Sequence, residues 1–202
     1  GGSEYGPRAL GNRSILADAR NKKMRDYINK TVKHREIFRP FAPSILEEEN
    51  KKYFDLKTSS PYMLLVAGSK KSNKIPSAIH VDGTARVQTV NREQNINFYN
   101  IIKAFYKLTG VPCVLNTSFN DAGEPLVETP LDALLCFLKT KSGKSVFIQL
   151  LKTADVLIEG FRPGVMERLG LSYDQCKEHK SSIVYCSITG YGQDGPYKFK
   201  AG

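Results

Sequence analysis

The stretch NFYNIIKAFYKLTGVPCVLNTSFN, residues 97–120, decides the fold class. Its first part repeats apolar side chains at helical spacing and ends on Gly110, a residue type that closes helices in the left-handed conformation. VPCVLNTSF then reads as a buried strand that runs into a polar turn at Asn116, Ser118 and Asn120. Next comes TPLDALLCFLKT, a helix with Thr129 and Pro130 in the cap and first-turn positions. Helix, strand, turn and helix in that order are the signature of an α/β domain.

Upstream, Met24, Tyr27, Ile28 and Val32 recur at helical spacing and predict an amphipathic helix that feeds a basic loop, KHREIFRP (33–40). Ser44 with Glu47 makes a capping-box pattern for a second helix, SILEEENKKYF. PYMLLVA (61–67) and IHVDGTARVQTV (79–90) predict strands. Downstream, after a polar break at Lys141 to Gly143, the order is helix (SVFIQLLKT), strand (DVLIEGF), two short helices (GVMERLG and SYDQCKEHK) and strand (IVYCSITGY). A domain boundary is expected near residue 140, giving domains 1–139 and 140–202.

With 202 residues, 41% of them hydrophobic, the chain can build a packed core. Thirty Lys and Arg against twenty Asp and Glu leave +10, which favours an anionic partner. Cys113, Cys136, Cys176 and Cys186 form no CxxC pair and have no His at ligand spacing, so no metal site or disulfide framework is expected. The sequence has no apolar run of membrane-spanning length and no signal segment, and a cytoplasmic protein is expected. The chain starts on Gly1 and stops at Lys-Ala-Gly, so a piece of a longer protein is expected.

Three polar loops, EYGPRALGNRS (4–14), KHREIFRP (33–40) and LNTSFN (115–120), carry groups that bind anions. Arg grips phosphate or carboxylate with a planar fork, Lys supplies a compact charge, and stiff backbone limits the entropy lost in positioning both. Lys33, Arg35 and Arg39 are the principal candidates; Arg8, Arg86, Asn116, Ser118 and Asn120 complete the set. His34 between two cations reads first as a packing or surface residue. A tempting SGKS at 142–145 imitates a phosphate loop but lacks the required glycine, because Leu138 stands there; a helix start capped at Ser142 is the sounder reading.

EYGPRALGNRSILAD, MRDYINKTVKHREIFRPFAPS, HVDGTARVQTVNREQN and GVPCVLNTSFNDAGEPLVETPLDAL resemble, in family order, the C-terminal domain of carbamoyltransferases that modify antibiotics and nodulation factors. That domain is similar to the YrdC-like fold, a twisted open α/β sheet with helices around a nucleotide cleft. Its Lys-x-Arg and Ser-x-Asn pairs match Lys33 with Arg35 and Ser118 with Asn120. The resemblance implies an enzyme part that binds carbamoyl phosphate and ATP with Mg²⁺ and forms carbamoyl adenylate. It casts Lys33, Arg39 and Ser118 as catalytic and Arg8, Arg35, Arg86, Asn116 and Asn120 as binding residues. It also implies a missing N-terminal domain that completes the carbamoyl transfer.

ADVLIEGFRPGVMERLGL and IVYCSITGYGQDGP resemble family III coenzyme A transferases, including the α-methylacyl-coenzyme A racemases. That likeness implies a short, incomplete Rossmann-like fragment in which Phe161 faces the adenine of CoA and Arg168 a phosphate. Two family fragments would then meet near FLKTKSG, as in a fused or fragmentary gene product. Two alternatives stay open: a CoA-binding fragment without turnover, and an RNA-binding module of YrdC-like fold. Cations beside Gly, Pro, Ser and Asn in converging loops suit a small polyanion better than RNA.

Overall fold

Ala42–Leu46, all five residues buried, form the central strand of the chain. A computed structural model describes Glu4 and residues 6–198. Two compact units result, residues 1–133 and 134–202.

The first unit runs β1 (Ser14–Asp18), α1 (Met24–Thr31), β2 (Ala42–Leu46), a 3₁₀ turn, α2 (Asn50–Tyr53), β3 (Leu65–Gly68), β4 (Thr84–Val90), α3 (Ile96–Thr109) and β5 (Cys113–Ser118). Its five-stranded sheet has the order β1-β5-β2-β4-β3. β2 and β4 pair in parallel; the other neighbours are antiparallel. One face buries Ile45, Ala85, Val87, Cys113 and Leu115 in the larger core. The other is divided. Leu46, Val90 and Val114 lie with Phe98 and Ile102 of α3, whereas one step of two residues along each strand brings Ser44, Gln88 and Asn116, all buried and polar. The polar half of this face is where the site forms.

The chain is therefore α/β, with one five-stranded sheet and helices. Several local expectations need correcting. SILEEENKKYF is not one helix: Ser44 caps nothing, lies in β2, and donates its Oγ–H to Gln88 Oε1 at 2.6 Å. Only Asn50–Tyr53 become α-helical, after a 3₁₀ turn at Glu47–Glu49. β3 and β4 are shorter than predicted, and β1 was not anticipated. By contrast, Asn95 accepts from Phe98 N and Gly110 (φ 71°) closes α3 in the left-handed region.

The two units divide within α4 (Pro130–Leu138). α5 (Lys141–Thr153) starts two residues earlier than a cap at Ser142 would place it, because Thr140 is its cap and accepts from Gly143 N. β6 (Val156–Glu159), α6 (Val165–Leu169), α7 (Tyr173–His179) and β7 (Val184–Ser187) follow. β6 and β7 make a two-stranded parallel sheet. Leu138, Leu151, Met166, Leu169, Leu171, Cys176 and Ile183 form this unit's own core. Cys113, Cys136 and Cys176 are buried, and Cys186 is half-buried.

Candidate functional site

The basic loop begins where α1 ends, with the Val32 and Lys33 amides both donating to Ile28 O. Asn29, fully buried beside Ile28, then shapes it. Its Nδ2 donates to Ile37 O at 3.1 Å and to Arg39 O at 2.8 Å, and its Oδ1 accepts from Arg35 Nε at 2.7 Å. Arg35 also lies over the Phe41 ring, 4.8 Å from its centroid, a favourable cation–π placement. His34 turns the chain with φ 44°, left-handed for a residue other than glycine.

Lys33 points the other way. It is 3% exposed, and its ammonium donates to Ser118 O (2.9 Å), Ser118 Oγ (3.3 Å), Asn120 O and Asn120 Oδ1 (both 2.5 Å). Ser118 Oγ in turn donates to Asn120 Oδ1 at 2.7 Å. This lysine ties the basic loop to the end of β5.

Across the sheet, Glu4 holds the loop that carries Arg8. Its carboxylate accepts from the amides of Leu10 (3.0 Å) and Asn12 (2.6 Å) and from Arg13 Nε (3.1 Å). Burial pushes this carboxyl up, but those hydrogen bonds outweigh it and hold the group below the ordinary range.

These loops enclose two adjoining concavities. The larger, about 550 Å³, is lined by Lys33, His34, Arg35, Arg39, Ser118, Asn120 and Asp121, among others. The smaller, about 100 Å³, is lined by Arg8, Arg35, Met63, Arg86, Asn116 and Ser118, among others. Arg35 and Ser118 belong to both walls. The eight site residues that the sequence singles out in the first unit thus come together. Their circumstances differ. Arg8 and Arg39 are exposed, and Arg39 pairs with Glu36 at 2.8 Å. His34 Nδ1 and Asp121 Oδ1 meet at 2.7 Å at the rim of the larger concavity. A further concavity of about 550 Å³, lined by Glu47, Glu48, Lys51 and Lys57, among others, contains none of the eight.

Cation crowding sets the chemistry. Burial, then the like charge of Arg39, lowers the pKa of Arg35; burial, then the charge of Arg8, lowers that of Arg86. Guanidinium stays protonated at neutral pH even so, and an anion between these groups relieves their repulsion. Two buried atoms add to this: Arg86 Nε has no acceptor and Asn116 Oδ1 no donor. Among the described residues no group of three or more His, Cys, Asp or Glu could hold a metal ion.

Asn29, Gln88 and Met63 were not foreseen in the site. Asn29 gave no signal beyond being a polar residue next to an apolar stripe, because its partners exist only once the loop has folded back.

In the second unit, Phe161 packs against the apolar core and Arg168 is exposed. Neither lines a cavity of about 220 Å³ in that unit, whose wall includes Glu159, Arg162, Tyr173, Tyr185 and Ser187. No helix among the described residues is long and apolar enough to cross a membrane.

Residues 1–152 match the family described as carbamoyltransferase C-terminus. The chain belongs to that family. Among relatives of this carbamoyltransferase C-terminal domain, nodulation protein NolNO of Sinorhizobium fredii is 52% identical over 69% of the chain, which covers 21% of that protein. Nodulation protein NolO of Bradyrhizobium diazoefficiens is 50% identical over 69% of the chain and 26% of its own length. The chain thus spans about a quarter or less of these curated relatives. Residues 135–202 match CoA-transferase family III. A solved structure of the hypothetical protein Rv3272 from Mycobacterium tuberculosis is 40% identical over 32% of the chain and 18% of its own, with a TM-score of 0.31.

Proposed function

We propose that the first unit binds carbamoyl phosphate and ATP, with Mg²⁺ carried on the ATP phosphates, and forms carbamoyl adenylate for a larger carbamoyltransferase. The observation that carries this reading is the pair of adjoining concavities that share Arg35 and Ser118. A transfer between two phosphate-bearing substrates needs two anion sites in contact. Membership of the carbamoyltransferase C-terminal family and the nodulation-protein relatives support it.

In this reading, water cleaves carbamoyl phosphate to carbamate and phosphate. A carbamate oxygen then attacks the α-phosphorus of ATP, and the bond to pyrophosphate breaks. The residues act by positioning and by charge stabilisation. Arg8 and Arg86 hold the smaller anion, Arg39 meets phosphates at the mouth, and Arg35 bridges both sites where negative charge gathers. Lys33 fixes Ser118 at the shared wall and Asn120 in the wall of the larger concavity. Among the described residues no group of three or more His, Cys, Asp or Glu could hold the ion, so Mg²⁺ would enter with the nucleotide and would neutralise charge on its phosphates. Transfer to the final acceptor belongs to a separate domain.

Calorimetric titration with ATP tests this, with CoA and a short RNA duplex as controls. Arg35→Ala is expected to weaken ATP binding by about 10- to 100-fold, the value of a lost charge-assisted hydrogen bond or two. Arg39→Ala should cost less, because Arg39 is exposed and already paired. ATP affinity untouched in a folded Arg35→Ala chain, or tighter binding of the duplex than of ATP, overturns the reading. The match of residues 135–202 to CoA-transferase family III makes CoA the ligand to try on the second unit.

A further inference from the structure

We propose that the concavity at the carboxyl ends of β2 and β4 is a second binding site, built for a small zwitterion: an ammonium group held against Glu47 and Asn50, and an anionic group of the same molecule facing Lys51 and Lys57. The inference does not depend on the carbamoyl adenylate reading, and it concerns the other end of the sheet. Ala42, at the start of β2, lines the smaller anion-binding concavity, whereas Glu47 follows the strand's last residue, about 13 Å further along. β2 and β4 run parallel with Leu46 beside Val90, so Glu47 and Asn91 leave the sheet together, at the strand ends where open α/β sheets collect ligands.

The wall is fixed before any ligand arrives. Glu47 Oε2 accepts from Ser59 Oγ at 3.1 Å and from Asn91 Nδ2 at 3.0 Å, which draws three segments of the chain together. No hydrogen bond or ion pair among the described residues takes Glu47 Oε1. Asn50, three residues on, lines the same concavity and is 4% exposed. Its Nδ2 donates to Leu56 O at 3.1 Å, and a carbonyl oxygen accepts only, so the amino end of the amide must face Leu56 and Oδ1 must face away. That oxygen is buried and has no donor. A buried orphan acceptor on a residue of a cavity wall, next to an open carboxylate oxygen, asks for N–H groups from outside the chain.

The surrounding charges define the rest of the ligand. Glu48 is already engaged, by Tyr99 Oη–H at 2.7 Å and Lys103 Nζ at 3.4 Å, so Glu47 is the carboxylate with capacity left. Lys51 and Lys57 form no ion pair among the described residues. A simple cation would be repelled by these two ammonium groups, and a simple anion by Glu47; a molecule that carries both charges avoids each penalty. The wall of the larger anion-binding concavity carries an excess of Lys and Arg over Asp and Glu, whereas here Glu47 and Glu48 balance Lys51 and Lys57. A volume of about 550 Å³ leaves room for an amino acid or a short peptide.

Amide NMR of the isotope-labelled full chain, at neutral pH and constant ionic strength, tests the site with glycine and glycylglycine, which carry both charges, and with acetate and methylammonium, which carry one each. At least one zwitterion is expected to shift the amides of Glu47, Asn50, Lys51 and Ser59 saturably, with an affinity about fivefold or more above that of either single-charge probe. Glu47→Gln keeps an acceptor for Ser59 and Asn91 and puts an amino group in place of the open carboxylate oxygen, so it should weaken zwitterion binding about fivefold or more. Acetate bound as tightly as the zwitterions would mean that the lysines merely collect anions, and overturns the inference. So do shifts confined to the Lys33, Arg35 and Ser118 amides, no saturable shift with either zwitterion, or a folded Glu47→Gln chain that binds as the wild type does. Should Glu47→Gln fail to fold, Lys57→Met, at an exposed position, carries the same expectation. None of these results bears on the carbamoyl adenylate reading, which stands or falls with ATP binding.

Discussion

Asn29 carries no charge and has no exposed surface, yet it gives the basic loop its shape. Three hydrogen bonds, one to Arg35 and two to the Ile37 and Arg39 carbonyls, converge on its single amide. Asn29→Ala removes them together and leaves a half-buried guanidinium edge and two carbonyls to find other partners. The expected loss is about 2–3 kcal/mol of unfolding free energy, measured by urea denaturation. ATP binding should also weaken, by about tenfold, since Arg35 loses the contact that aims it. Unchanged ATP affinity in the destabilised variant would show that the loop holds its shape by other means. Lys33 illustrates the same division of labour. Sequence reasoning sees a cation in a basic cluster, whereas the fold uses that cation to join two loops.

At the scale of elements, the turn from α4 into α5 shows why a motif must be read in its surroundings. Gly143 of the SGKS sequence sits in the first turn of α5, where its amide meets the Thr140 cap. A Cβ built at this position would lie 2.0 Å from the Phe137 carbonyl oxygen, which is backbone and cannot move aside. The glycine serves packing, not phosphate. Gly143→Ala is therefore expected to destabilise the second unit by about 1–3 kcal/mol or more, seen as a lower thermal midpoint for its unfolding. An unaltered midpoint would mean that the two helices meet differently. The elements that were legible in sequence carry their own punctuation: Asn95 and Gly110 bound α3, and Ser172 with Gln175 form the capping box of α7. β2 reads as a helix start because Ser44-x-x-Glu47 imitates a cap, while what decides its state is burial between β5 and β4, a non-local fact. β1 escaped because SILAD is short and takes its strand form from pairing with β5. The cations of the site could be read because charge clusters next to Pro and Gly are visible in a linear chain. Gln88 could not, since nothing in TARVQTV tells which polar residue will meet Leu10 and Asn116 across the sheet.

For the whole molecule, the two units differ in how completely they bury their sheets. In the first, β2 and β5 each have strands on both sides, and core side chains cover the two faces. In the second, the sheet has two strands, so neither has a partner on its outer edge among the described residues, and Val156, Ile158 and Val184 stay exposed on one face. A two-stranded sheet is marginal by itself and depends on what packs against it; here Leu157 and Tyr185 reach the small core from one side only. Local opening should accordingly cost far less in β6 and β7 than in β2 and β5. Native-state hydrogen exchange of the intact chain measures this directly. Amides of Val114, Leu115 and Ile45 are expected to exchange at least about a hundredfold more slowly than those of Leu157 and Cys186, a gap of nearly 3 kcal/mol in opening free energy. Protection within about threefold across all four strands would instead mean that the chain opens as one cooperative unit, with the carbamoyltransferase and coenzyme A-transferase segments sharing a single stability.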